Sequence, residues 1–162
     1  MLLHLFLLGA LIQGAQQTAE PDVPVYNFEQ FEPYLHKNTD TTYIVNFWAS
    51  WCKPCIQELP LFDSLAMEYR DKKVKVLLVS LDFAEKKDPV VIPFIKKKQV
   101  KSQVMIMDDP DADTWISKVD SSWSGAIPAT VIYHKDKRAF YEKSFHGSEL
   151  KDAFLKIYPN KN

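Results

Sequence analysis

Apolar and polar positions along the chain follow two periods, one near two and one near 3.6 residues. Residues 42–49 are apolar except at the edges and at Asn46. Such a run reads as a central strand covered on both faces. From Pro54 onward, Ile56, Leu59, Phe62, Ala66 and Tyr69 recur at helical spacing, so a helix is expected over 54–70. Residues 74–81, rich in Val and Leu, form a second buried strand. Asp88-Pro89 opens a further helix disturbed by Pro93, and 104–107 reads as a short strand. Asp109 is expected to cap a helix with Pro110 at its first position and Trp115, Ile116 and Val119 inside. Residues 129–134 and 139–145 flank the polar turn Lys135-Asp136-Lys137-Arg138 and read as an antiparallel pair. A helix over 148–158 carries Leu150, Phe154 and Ile157 on one face, and Phe28, Phe31 and Leu35 mark a short first helix. The order is β-α-β-α-β, an inserted α-β-α, then β-β-α. Strands alternating with helices place the chain in the α/β class, with a central mixed sheet and helices on both faces.

The 162 residues, 46% of them hydrophobic, suffice for one domain with a full core. A net charge of -1 gives no nucleic-acid footprint, and Lys96-Lys97-Lys98 reads as a solvated helix end. The first fifteen residues contain no Lys, Arg, Asp or Glu, and 2–8 are almost wholly apolar. That stretch is too short to cross a bilayer, which needs ~20 apolar residues, and it fits the apolar core of a signal peptide. We divide the chain into a leader and linker, 1–20, and a folded domain, 21–162. The leader implies export, to the periplasm in a bacterium.

The two cysteines, Cys52 and Cys55, are two residues apart at the junction of the strand and helix patterns. Three chemistries use this spacing. A structural zinc site needs four ligands, but the chain offers no further cysteine, and His4, His36, His134 and His146 are scattered. A structural disulfide stabilises by closing a long loop, and this one would close almost none. A redox dithiol remains, and Cys-x-x-Cys beside a βαβ pattern is its usual signal. At a helix N-terminus the free backbone N–H groups and the dipole favour a thiolate, the attacking species in disulfide exchange. Cys52 is therefore assigned as the attacking sulfur. Cys55, about one turn inward, is the sulfur that resolves the mixed disulfide. Lys53 lies between them, where its charge either helps the thiolate or is screened by solvent.

Residues 47–55, Phe-Trp-Ala-Ser-Trp-Cys-Lys-Pro-Cys, resemble the active-site segment of the thioredoxin superfamily. The resemblance implies a thioredoxin-like fold and a redox-active Cys52–Cys55 disulfide as the only prosthetic element, with no metal. It also implies that Pro128, in Ala126-Ile127-Pro128-Ala129-Thr130, is a cis proline beside the disulfide, and that Ile127 offers its backbone to a substrate strand. Read alone, Pro128 is as well explained by a trans proline at a strand entry. Trp51, Lys53 and Pro54 complete the implied substrate-binding set, and Pro60 matches a kink-forming helix proline. Asn46 stands where cytosolic thioredoxins usually carry a buried Asp. Glu58, three residues past Cys55, matches Cys-x-x-Cys-x-x-Glu-x-Pro and is similar to TlpA/ResA-like exported thiol-disulfide oxidoreductases, including those serving cytochrome c maturation. In that pattern Glu58 exchanges protons with the cysteine pair; the alternative is a solvated surface Glu. The segment Ser121-Ser122-Trp123-Ser124-Gly125 departs from the family's usual approach to the cis proline. Trp123 either packs beside the disulfide or is a core aromatic.

The implied partners are protein disulfide substrates and, because an oxidising compartment drains reductant, a membrane electron donor of thiol-disulfide relay type. A monomer is expected. Two alternatives stay open. One is a thiol peroxidase of related fold, although Trp51 precedes Cys52 and no Thr-x-x-Cys occurs. The other is a copper-binding assembly factor using the thiolates with His134 or His146.

Overall fold

The computed structural model describes residues 20–159. The leader assigned to 1–20 lies outside the described residues except for Glu20. The elements are β1 (Val25–Tyr26), α1 (Phe28–Phe31, continued by a 3-10 turn over Glu32–Leu35), β2 (Thr42–Trp48), α2 (Lys53–Glu68), β3 (Val74–Ser80), α3 (Ile92–Lys98), β4 (Gln103–Met107), α4 (Ala112–Val119), β5 (Ala129–His134), β6 (Lys137–Tyr141) and α5 (Glu149–Ile157). Among the described residues no helix is long and apolar enough to cross a membrane.

Among the described residues the sheet has six strands, in the order β1-β4-β3-β2-β5-β6. The pairs β1–β4, β4–β3 and β3–β2 are parallel, while β2–β5 and β5–β6 are antiparallel. β2 is central and buried along its whole length, which is why its apolar run shows no alternation. Its residues still divide by parity. Ile44 and Trp48 pack with Leu59, Phe62, Ile95 and Phe154 of α2, α3 and α5 on one face. Tyr43, Val45 and Phe47 pack with Phe28, Phe31, Trp115 and Val119 of α1 and α4 on the other. Asn46 shares the parity of Ile44 and Trp48, so it faces α2.

Three local expectations change. Asp109 does not cap α4; the cap position is Asp111, and the Asp109 carboxylate instead accepts the backbone N–H groups of Phe28 (2.9 Å) and Asp111 (3.0 Å). The strand expected over 139–145 is Lys137–Tyr141, because the turn is only Lys135-Asp136, with Lys135 at φ 52. Finally, helical structure begins before Asp88-Pro89. A 3-10 turn at Ala84–Lys86 and a π turn at Lys87–Val91 lead into α3, accommodating Pro89 and Pro93 near helix starts where a missing N–H does least harm.

Candidate functional site

Cys52 is the N-cap of α2, with Lys53 and Pro54 in the first turn. Its sulfur is bonded to Cys55 Sγ and also accepts the Cys55 backbone N–H at 3.3 Å. That donor is one of those a helix start leaves free, and it favours a thiolate on Cys52 once the disulfide opens. Cys55 is fully buried, while Cys52 keeps a small exposed fraction at the surface. Trp51, Lys53 and Pro54 are exposed around it.

The loop leading into Cys52 is held by an acid that no periodicity or motif in the sequence singles out. Asp82, buried just past β3, accepts the Ser50 N–H (2.8 Å), the Ser50 hydroxyl (2.6 Å) and the Ser80 hydroxyl (2.6 Å). The only sequence signal for this clamp is a Ser-x-Asp at the carboxyl end of the strand beside β2, where ligand sites of open α/β sheets gather.

On the other side of β2, the Ile127–Pro128 bond is cis, and the Ile127 carbonyl oxygen lies 3.8 Å from Cys52 Sγ. Pro128 is buried and Ile127 half-buried. Two side chains secure the loop before them. The Trp123 indole N–H donates to the Ala126 carbonyl at 2.8 Å, and its ring packs on Phe47, Trp115 and Phe140, so Trp123 is a core aromatic. Glu142, at the end of β6, accepts the N–H groups of Ser124 and Ala126, each at 3.2 Å, and the Ser124 hydroxyl. These bonds, led by the hydroxyl, hold its carboxyl below the usual carboxylate range. Gly125 takes φ 91, and a Cβ there would sit 3.0 Å from Ile116 Cδ1. No sequence signal points to Glu142, because its role depends on the β5–β6 register.

Glu58 is 1% exposed, which removes the surface alternative. One carboxylate oxygen accepts from Asn46 Nδ2 at 3.0 Å, and the other from the Phe145 N–H at 2.6 Å. Asn46 Nδ2 also donates to Thr130 Oγ1 at 3.1 Å, while Asn46 Oδ1 is buried with no partner. Burial raises the Glu58 carboxyl to about 7, and the bonds from Phe145 and Asn46 only partly oppose this. A carboxyl titrating near neutrality thus lies three residues along α2 from Cys55, on the same buried face.

Among the described residues, no group of three or more His, Cys, Asp or Glu could hold a metal ion. His134 lies at the opposite end of the sheet from Cys52, with Nδ1 3.2 Å from Thr42 Oγ1. A groove of about 420 Å³ between α2 and α3, lined by Ile56, Leu59, Pro60, Met67, Phe94 and Val100, includes neither cysteine.

Residues 19–139 match the AhpC/TSA family. The thiol-disulfide oxidoreductase ResA of Bacillus thuringiensis subsp. konkukian (strain 97-27) is 39% identical over 108 residues, covering 67% of this chain and 56% of the relative. A thioredoxin of Rickettsia typhi (strain ATCC VR-144 / Wilmington) is 30% identical over 88 residues, covering 49% of this chain and 83% of the relative. The crystal structure of a thioredoxin-related protein from Neisseria meningitidis serogroup B superposes with a TM-score of 0.61 at 22% identity, covering 73% of this chain and 85% of that one. The last comparison establishes a shared fold. The chain spans between 48% and 63% of the length of three other curated relatives.

Proposed function

Because the chain belongs to the AhpC/TSA family of thioredoxin-like proteins, we propose that it is a thiol-disulfide oxidoreductase that reduces disulfides in exported proteins. The observation that carries this reading is the Cys52–Cys55 bond at the N-terminus of α2, with the Ile127 carbonyl beside the outer sulfur. In the dithiol form, the Cys52 thiolate attacks one sulfur of a substrate disulfide, and the other substrate sulfur leaves and takes a proton. A mixed disulfide now joins Cys52 to the substrate. Cys55 loses its proton and attacks Cys52, which expels the second substrate thiol and closes Cys52–Cys55. Two electrons pass to the substrate, which leaves as two thiols.

Glu58 is the acid and base of the second half of this cycle. Titrating near 7, it is poised to take the Cys55 proton and to return it at neutral pH. Trp51, Lys53, Pro54, Ile127 and Pro128 form the surface on which the substrate polypeptide lies. The partners are protein disulfides and a membrane thiol-disulfide relay that restores the dithiol, with the protein working as an exported monomer, periplasmic in a bacterium. Cytochrome c maturation is one setting that the TlpA/ResA resemblance implies.

The reduction potential of the Cys52/Cys55 couple tests the direction of flow. Equilibration against glutathione should place it near the thioredoxin value of about -270 mV. A value near the DsbA figure of about -120 mV would make the protein an oxidant and overturn the reading as a reductant. The thiol-peroxidase alternative predicts peroxide consumption by the reduced protein, which the disulfide-exchange reading does not.

A further inference from the structure

Two large aromatic side chains stand out from the surface at the carboxyl ends of neighbouring strands. Trp51, after β2, is 70% exposed, and Phe83, after β3, is 67% exposed. Their loops are joined one residue earlier, where Ser50 donates both its N–H and its hydroxyl to Asp82. The Leu81 N–H donates to the Trp48 carbonyl at 2.8 Å, extending the β2–β3 ladder toward the same point. Phe83 is also fixed from its far side. The Ala84 N–H donates to Asp108 Oδ2 at 2.8 Å, and the Lys86 N–H donates to the Phe83 carbonyl at 2.8 Å. The backbone of Phe83 is thus held on both flanks while its ring is left in water.

Nothing in this loop needs that ring. Every bond that holds it is made by backbone groups or by Ser50, Ser80, Asp82 and Asp108, so a polar residue at 83 would leave all of them in place. An exposed aromatic on a rigid mount suits binding: it offers a large apolar face, and the entropy of ordering its backbone is already lost. The charges of the following turn, Glu85 and Lys86, pair with each other at 3.4 Å. β2 is flanked by β3 on one side and β5 on the other. Cys52 therefore lies between the Phe83 loop and Ile127.

We propose that Phe83 is a specificity-determining residue of the disulfide exchange described above. With Trp51 it walls the β3 side of the Cys52 sulfur. It selects an extended polypeptide that carries a bulky apolar side chain within two residues of its cysteine, while the main chain of that polypeptide lies along Ile127. This assignment rests on the oxidoreductase reading and adds a substrate class to it.

The test uses the pre-reduced full chain and two symmetrical peptide disulfides, one with Phe and one with Gly flanking the cysteine. Second-order rate constants for peptide reduction are measured for each. The wild-type protein should favour the Phe peptide about tenfold, equivalent to ~1.4 kcal/mol. F83S should bring the ratio to about twofold or less, and F83W should restore it; each fold-change reads the differential binding of one apolar side chain. Melting temperatures of the variants show that the fold is kept. A wild-type ratio near one, or an F83S ratio equal to wild type in a folded protein that reduces both peptides, overturns the role of Phe83 alone. Failure of the wild-type dithiol to reduce either peptide or insulin overturns the oxidoreductase reading, and the specificity assignment falls with it.

Discussion

Replacing Glu58 by glutamine should remove a pH-dependent cost that the native protein carries above pH 7. The carboxyl is raised from 4.5 to about 7, chiefly by burial. At 1.36 kcal/mol per pKa unit, the rise corresponds to ~3 kcal/mol, a large part of the 5–15 kcal/mol that typically separates folded from unfolded chains. The sign follows from proton binding. A raised native pKa means that the folded state holds the proton more tightly than the unfolded chain. The contribution is fully present below about pH 4.5, where the group is neutral in both states. It is lost as pH rises from 4.5 to about 7, and above that the fold carries a buried carboxylate. Glutamine keeps the size and cannot ionise. Its oxygen can accept the Phe145 N–H, and its NH2 then faces Asn46. Turning the Asn46 amide over would present Oδ1, the buried oxygen that has no partner in the native arrangement. Urea denaturation of the oxidised protein at intervals from pH 4.5 to 8.5 measures the effect. The stability of E58Q minus that of wild type should grow by ~3 kcal/mol across that range, mostly between pH 4.5 and 7. A difference that stays flat with pH would show that Glu58 ionises as it does in the unfolded chain, and would remove the basis for its proposed role as proton carrier.

Two further outcomes follow from the geometry. In the reduced protein at mildly acidic pH, iodoacetamide should modify Cys52 at least tenfold faster than Cys55, and C55S should trap substrates as mixed disulfides through Cys52, because only Cys52 combines the N-cap position with an exposed edge; equal labelling read by mass spectrometry would contradict the assignment. Asp82→Ala strands the Ser50 N–H and two hydroxyls and should cost ~2–4 kcal/mol in a urea titration. A loss below ~0.5 kcal/mol, the range of ordinary surface changes, would mean that Asp82 does not hold the active-site loop.

The disulfide at a helix start was legible in the sequence because it is local. Cys52, Pro54 and Cys55 occupy the first turn of one helix, and helix start, dipole and spacing are all properties of consecutive residues. The strand patterns were legible for the same reason. Residues 42–49 and 74–81 came within one residue of β2 and β3, and Ala129–His134 is β5 itself. The cis proline followed from a motif that abuts β5. Errors arose where one local signal competed with another. Asp109 looked like a helix cap, but the Phe28 N–H, 81 residues away, is one of the two backbone groups that its carboxylate accepts.

What only the tertiary structure decided are the residues whose roles come from strand order and register. Glu58 reads equally as surface or core from its helix alone. It is buried because Asn46 and the Phe145 backbone meet it from β2 and from the segment after β6. Asp82 becomes a clamp because parallel pairing sets the end of β3 beside Ser50. Glu142 braces the cis-proline loop because β6 pairs antiparallel with β5, with Tyr141 opposite Thr130. Trp123 was equally suited to two environments until α4 and β2 enclosed it. Local sequence sets which atoms can react, since reactivity depends on a thiolate and its nearest backbone donors. The fold sets which groups hold, protonate and flank those atoms, since such contacts join residues tens of positions apart that only the closed sheet brings together.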